Sequence, residues 1–296
     1  MRKARLQNSG DSDTIPRLPG WITLGSAQTP EDVAFLSGAA LACLHLVVTD
    51  DQVPHDLWRA RLALDAAEAC AGFSGRREGA AGLRDAVHLL RPGDHPGPAG
   101  EIFRQWSRAV ARPISVANLG RALPGLTIEQ IAVSLDTAGG TPVFQAAAAL
   151  EAVLAAAPRA ETAALVLADA ALARALGWHH ILPLLAIGLK SRDLRQQGDD
   201  LLLACHRAVR TASGPAVALA ADLTRRGARL RAVAPKLRAK GAPRAVELFL
   251  SCDALAPAAL TGILSDRAAR RLCDRLVDLG AVRELTGRDS FRLYGV

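Results

Sequence analysis

The chain has 296 residues, half of them hydrophobic, and a formal net charge of +7. That length and apolar content bury a large core in one big domain or two ordinary ones, and ordinary Gly and Pro shares exclude collagen-like sequence and wholesale disorder. No apolar run of about 18 residues is free of charge, which argues against a membrane span, and the basic, polar start (MRKARLQNSGDSDTIPRLPGW) lacks a secretory leader's apolar stretch, so a cytoplasmic protein is expected.

Aromatic residues make up only 4% of the chain, and Ala and Leu supply much of the apolar content, which favours helices over sheets. Residues 1–29 are polar and Pro-containing and read as a flexible arm. Thr29-Pro-Glu-Asp32 is a helix start, with a capping hydroxyl, a proline at the first helical position and two acids on the dipole. The helix it opens runs to about residue 49. A second spans roughly 55–73, and shorter ones are expected near 79–90, 99–111 and 127–137. The Ala-rich stretch 142–177 reads as two helices hinged at Pro158, and 181–189 as a buried segment. Residues 194–232 form long amphipathic helix interrupted at Gly214-Pro215. The five cysteines form no CxxC pair; Cys43, Cys70, Cys205 and Cys273 fall in apolar helical patterns, as small core residues do in a reducing compartment.

The charge is unevenly placed. Residues 222–296 hold 15 Lys+Arg against 8 Asp+Glu, whereas the first 221 residues balance. A basic end on a neutral body points to a polyanionic partner, nucleic acid above all. Residues 236–243 (KLRAKGAP) mark the boundary. Beyond it come three short helical patterns, 245–251, 257–263 and 265–279, then two apolar runs, 281–285 and 291–294, around a Gly-containing turn. Three helices and a hairpin in this order describe a winged helix-turn-helix. The fold class expected is therefore mainly α: a helical N-terminal bundle over 30–240 and a winged helix-turn-helix over 241–296.

In the third helix of that module, Ala268, Ala269, Leu272, Cys273, Leu276 and Leu279 share one face, and Arg267, Arg270, Arg271 and Arg275 the other. Arginines on the first turns of a recognition helix reach base edges and phosphates in a major groove, so Arg270 and Arg271 are expected to outrank Arg275. Ser265 caps the helix and can offer its amide end to a phosphate, and Arg288 sits at the hairpin tip, where a wing meets the backbone. Asp274 and Asp278, on the arginine side, count against this reading.

Residues 264–296 resemble the C-terminal winged helix of bacterial Fic-type proteins, through Leu276-Val-Asp-Leu-Gly280, Arg283-Glu-Leu-Thr-Gly-Arg288 and Tyr294. More of the chain resembles domain-of-unknown-function family 1403, bacterial proteins often carried on plasmids. Arg17-Leu-Pro-Gly-Trp21, Leu83-Arg-Asp-Ala-Val-His-Leu-Leu-Arg-Pro-Gly-Asp94 and Ala234-Pro-Lys-Leu-Arg-Ala-Lys-Gly241 carry that likeness with the C-terminal segment. The family implies no established activity. Fic proteins transfer nucleotides with a loop containing a basic His, phosphate-cradling Gly and Asn amides and an Arg; the corresponding stretch here, 155–169, has no His and no Gly. The resemblance thus implies a degenerate Fic-like body without catalysis.

The densest His/Asp cluster is Asp85, His88, Asp94 and His95, expected as a salt-bridged helix end and polar loop rather than a metal site. His179-His180 is expected to close a helix, one ring serving as a dipole partner. No metal, cofactor or catalytic residue is expected. The expected function is double-stranded DNA binding, in regulation or replicon maintenance, by a homodimer or with a protein partner held through the helical domain. The alternatives are a scaffold protein whose winged helix grips protein and, less in keeping with the missing motif, a nucleotide transferase.

Overall fold

The computed structural model describes residues 15, 17–26, 28–91, 93–136, 139–237 and 240–296. Among them one long helix, α11 (Gly198–Val233, 36 residues), organises the chain. Its apolar face, from Leu201 through Val217 and Leu230, is buried along the whole length. The expected interruption at Gly214-Pro215 is absent. Pro215 removes one helical N–H, but it sits on the exposed side, and the buried Ala212, Ser213, Ala216 and Val217 hold both halves to the core. The Trp58 indole donates to the Ala216 carbonyl at 3.0 Å, next to Pro215.

The other helices pack around this axis. They are α1 (Gly20–Leu24), α2 (Pro30–Val48), α3 (His55–Phe73), α4 (Ala80–His88), α5 (Gly97–Ala111), α6 (Val116–Ala122), α7 (Ile128–Leu135), α8 (Pro142–Ala156), α9 (Glu161–Ala175) and α10 (Leu184–Gly188). Helix α2 lies on α11, α3 on α5, and α8 and α9 form a hairpin about Pro158. Thr29 makes a complete capping box with Asp32, as the sequence leads one to expect. By length and composition α2 could cross a bilayer; here Val33, Leu36, Leu44 and Val47 are buried while Phe35 and Leu46 are exposed.

The arm differs from expectation. Residues 1–14 lie outside the described residues, but α1 is helical with Ile22 fully buried. Arg210 on α11 pins it by donating to the carbonyls of Ile22 (2.6 Å), Thr23 (3.2 Å) and Gly25 (2.5 Å). Three carbonyls on one guanidinium, together with the buried Ile22, hold α1 to α11. Helix α6 leaves no periodic signal in the sequence, because its seven residues are too few to show a helical period.

The last elements are α12 (Ala242–Phe249), a 3₁₀ turn (Pro257–Leu260), α13 (Asp266–Asp278), β1 (Arg283–Glu284) and β2 (Tyr294–Gly295). They are not set apart: one hydrophobic cluster runs from Ile15 to Val296 through both segments. The expected boundary, 236–243, includes Arg238 and Ala239, which lie outside the described residues.

Candidate nucleic-acid interface

Helix α13 is strongly two-sided. Ala269, Leu272, Cys273 and Leu276 are buried, and Arg267, Arg270, Arg271 and Arg275 are exposed. Ser265 caps its start, accepting from the Ala268 amide at 3.4 Å. Gly280, at φ 62°, ends it in the left-handed region. The Gly280 amide then donates to Val277 O and the Ala281 amide to Leu276 O, the paired bonds of a Schellman motif. Arg229 of α11 donates to the carbonyl of Leu279 at 3.3 Å, which satisfies another terminal acceptor and fixes α13 to the long helix.

The Arg-Glu-Leu-Thr-Gly-Arg run has a physical reading. Arg283 and Glu284 pair antiparallel with Gly295 and Tyr294. The Glu284 carboxylate accepts from the amides of Thr286 and Gly287, both at 2.7 Å, and from the Thr286 hydroxyl. Burial works against its charge, but these bonds outweigh it and hold the carboxyl below its ordinary pKa. Gly287 supplies the positive φ of the turn, and a Cβ on Gly295 would meet the Asp253 carbonyl at 2.7 Å. A third chain segment, unexpected from the sequence, joins here: Leu255 exchanges both backbone hydrogen bonds with Tyr294, at 2.8 and 2.9 Å. A single bridging residue before Pro257 carries no strand pattern of its own.

The expected site residues fall into two groups. Arg267, Arg271 and Arg275 have no ion-pair partner among the described residues. Arg270 pairs with Asp266 one turn back at 3.1 Å. Arg288 is not a free hairpin tip, because it forks onto Asp85 of α4. Asp274, on the arginine side, accepts weakly from the Tyr294 hydroxyl at 3.4 Å.

The attachment to the body is ionic as well as apolar. Asp253 is buried between α12 and the 3₁₀ turn. Arg84 of α4 donates to both of its oxygens, at 2.6 and 2.9 Å, and Arg61 Nε of α3 lies 2.6 Å away, out of hydrogen-bonding alignment. Burial opposes the charge of Arg84, yet the bonds and charge of Asp253 hold its pKa above the ordinary value; for Arg61 burial prevails and lowers it. Two cations on one carboxylate explain why an Asp is tolerated in this core.

The other expected clusters do not assemble a reaction centre among the described residues. Asp85 is spent on Arg288, the Asp94 carboxylate accepts from the Arg91 amide at 2.9 Å, and no group of three metal-type ligands forms. Burial lowers the pKa of His88 and takes that of His180 down to about 4. The stretch 155–169 lies in the α8–α9 hairpin. Its Asp169 is fully buried and accepts from the amides of Leu185 (2.8 Å) and Ala186 (3.2 Å), capping α10.

The sequence profile of one family, described as "Protein of unknown function (DUF1403)", matches residues 6–296. The chain belongs to that family. Comparison with curated proteins returned no match. DUF1403 membership therefore covers the helical body and the basic C-terminal segment together, and assigns neither an activity.

Proposed function

We propose that this DUF1403 protein binds double-stranded DNA, with α13 as the reading helix of a winged helix-turn-helix. The observation that carries this is the exposed face of α13, where Arg267, Arg271 and Arg275 stand without ion-pair partners among the described residues while the opposite face is buried. A rigid helix with a row of uncompensated arginines suits phosphates and guanine edges. The element order supports it too: α12, the bridging Leu255, a turn, α13 and a hairpin whose second strand pairs with both Leu255 and β1. We infer a non-enzymatic regulator or replicon-maintenance protein of the cytoplasm, acting as a dimer or with a partner, because one module gives limited affinity.

The test is an electrophoretic shift with pooled genomic fragments across a salt series. The expected result is retained fragments at low salt and a log–log loss of affinity as salt rises. A protein that retains no fragment at low salt refutes the reading. A second reading, a module that grips protein, is favoured by Arg270 and Arg288 already being paired with carboxylates of the chain. It expects an acidic protein partner to be bound, and DNA not to be.

A further inference from the structure

We propose that the cavity where α1 and the end of α10 meet α11 binds a compact, multiply charged phosphate compound. The cavity has a volume of about 570 Å³, within the range of small-ligand sites. Four cations line it, Lys190, Arg192, Arg207 and Arg210, against one acid, Asp193.

That acid does not balance them. One Asp193 oxygen accepts from the Lys190 backbone amide at 2.9 Å, and the other lies 3.6 Å from Arg192 Nε. Arg210 is fixed by its three carbonyls in α1. Lys190 and Arg207 have no ion-pair partner among the described residues, and both side chains belong to exposed residues at the cavity wall. Like charges held around one concavity repel each other and focus a positive potential into it, and an anion relieves both effects.

The fold builds this arrangement deliberately close. Gly188 ends α10 directly on α11, where a Cβ would come within 2.3 Å of the Ala208 carbonyl. Lys190 and Arg192 follow Gly188 in the chain and line the same cavity as Arg207. Thr211 adds a hydroxyl on the next turn of α11, while Ala204, Ala208 and Gly214 leave a small apolar floor. No aromatic side chain lines the cavity among the described residues, so nothing there stacks a base, and the phosphate groups are the recognised part. This site stands apart from α13: Arg207 is 22 residues before Arg229, about 33 Å along a helix. It rests in no way on DNA binding.

The experiment is calorimetric titration of the full chain with inorganic pyrophosphate at low salt. Saturable binding is expected, weakened about tenfold or more by Arg207→Gln and by Lys190→Gln and unchanged by Arg112→Gln, an exposed position outside the cavity. Both test positions are exposed, so each variant should melt like wild type. Parallel titrations with inorganic phosphate and ribose 5-phosphate separate the sources: tighter sugar phosphate shows that the apolar floor takes part, tighter pyrophosphate that charge alone selects, and either supports the site. No saturable binding of any of the three overturns it, as does binding that neither variant weakens. Loss of duplex DNA binding in both variants with pyrophosphate binding intact gives the cavity to nucleic acid and also overturns it.

Discussion

Arg288 and Asp85, 203 residues apart in sequence, share two parallel hydrogen bonds, 3.0 Å from Nη1 and 2.6 Å from Nη2 to the two carboxylate oxygens. The pair ties the hairpin to α4 of the helical body. Both side chains are more than a third exposed, so solvent screening leaves little stability in it. Its effect is on charge and position: a cation at the edge of the basic module is neutralised by a residue outside it.

Removing that carboxylate should therefore strengthen DNA binding. Asp85→Asn should raise affinity for all sequences alike and steepen the salt dependence by about one unit, as one more phosphate contact does. Arg288→Ala should change the slope by less than one unit, since the wild-type side chain is already paired. Affinity measured at several salt concentrations decides this, and an unchanged slope in Asp85→Asn would show that Arg288 faces no phosphate.

Much of α13 was legible in the sequence. Ser265, the apolar spacing from Ala269 to Leu276, the arginines between them and Gly280 are local signals, and each does what its residue type suggests. The commitment of Arg270 was also within reach, since Asp266 stands four residues before it. Arg288 and Asp253 were not legible, because their partners come from α3 and α4 and long-range ion pairs leave no periodic mark. The unbroken α11 is illegible for a similar reason: Pro215 is a local breaker, and only the buried face on both sides of it shows why the helix continues.

Asp253 should be the most costly polar residue to lose. Its side chain is 5% exposed, and Arg84 and Arg61 beside it are 11% and 16% exposed. Asp253→Asn strands two buried cations and should destabilise the fold by about 3–5 kcal/mol. The triple change Arg61→Met, Arg84→Met, Asp253→Leu should recover most of that, because a packed apolar set needs no compensation. Urea unfolding of both variants measures the difference; equal losses would mean that the ion triad is held for its geometry rather than its charge.

Asp169 should make stability fall as pH rises. Burial pushes its pKa up to about 8 from 3.8, although the amides of Leu185, Ala186 and Leu184 favour the ionised form. The folded state thus holds a proton that the unfolded chain releases above about pH 4. The contribution is full below that pH, declines through the interval and is gone above about pH 8, a change on the order of a few kcal/mol. Asp169→Asn should flatten this part of the profile. Urea midpoints between pH 5 and about 8.5 test it, and a wild-type curve that climbs with pH like that of the variant would rule it out.

Within the DNA-binding reading, Arg271 should carry more of the binding than Arg270 or Arg275. All three are exposed, but they are not equivalent. Arg270 is partly spent on Asp266, at 3.1 Å, and must leave that pair to reach a base. Arg275 lies a turn further from the capped end of α13, which is the end that enters a groove. Arg271 has neither handicap. Arg271→Ala should cost about 1–3 kcal/mol on a preferred target and relax its sequence preference. Arg270→Ala and Arg275→Ala should each cost less, and all three variants should melt within a few degrees of wild type, since none of these side chains supports the core. Binding of each variant to one target at two salt concentrations separates base reading from phosphate contact. If Arg271→Ala stays folded and binds like wild type, α13 is not the reading helix, and the protein-gripping reading of its arginine face takes the lead.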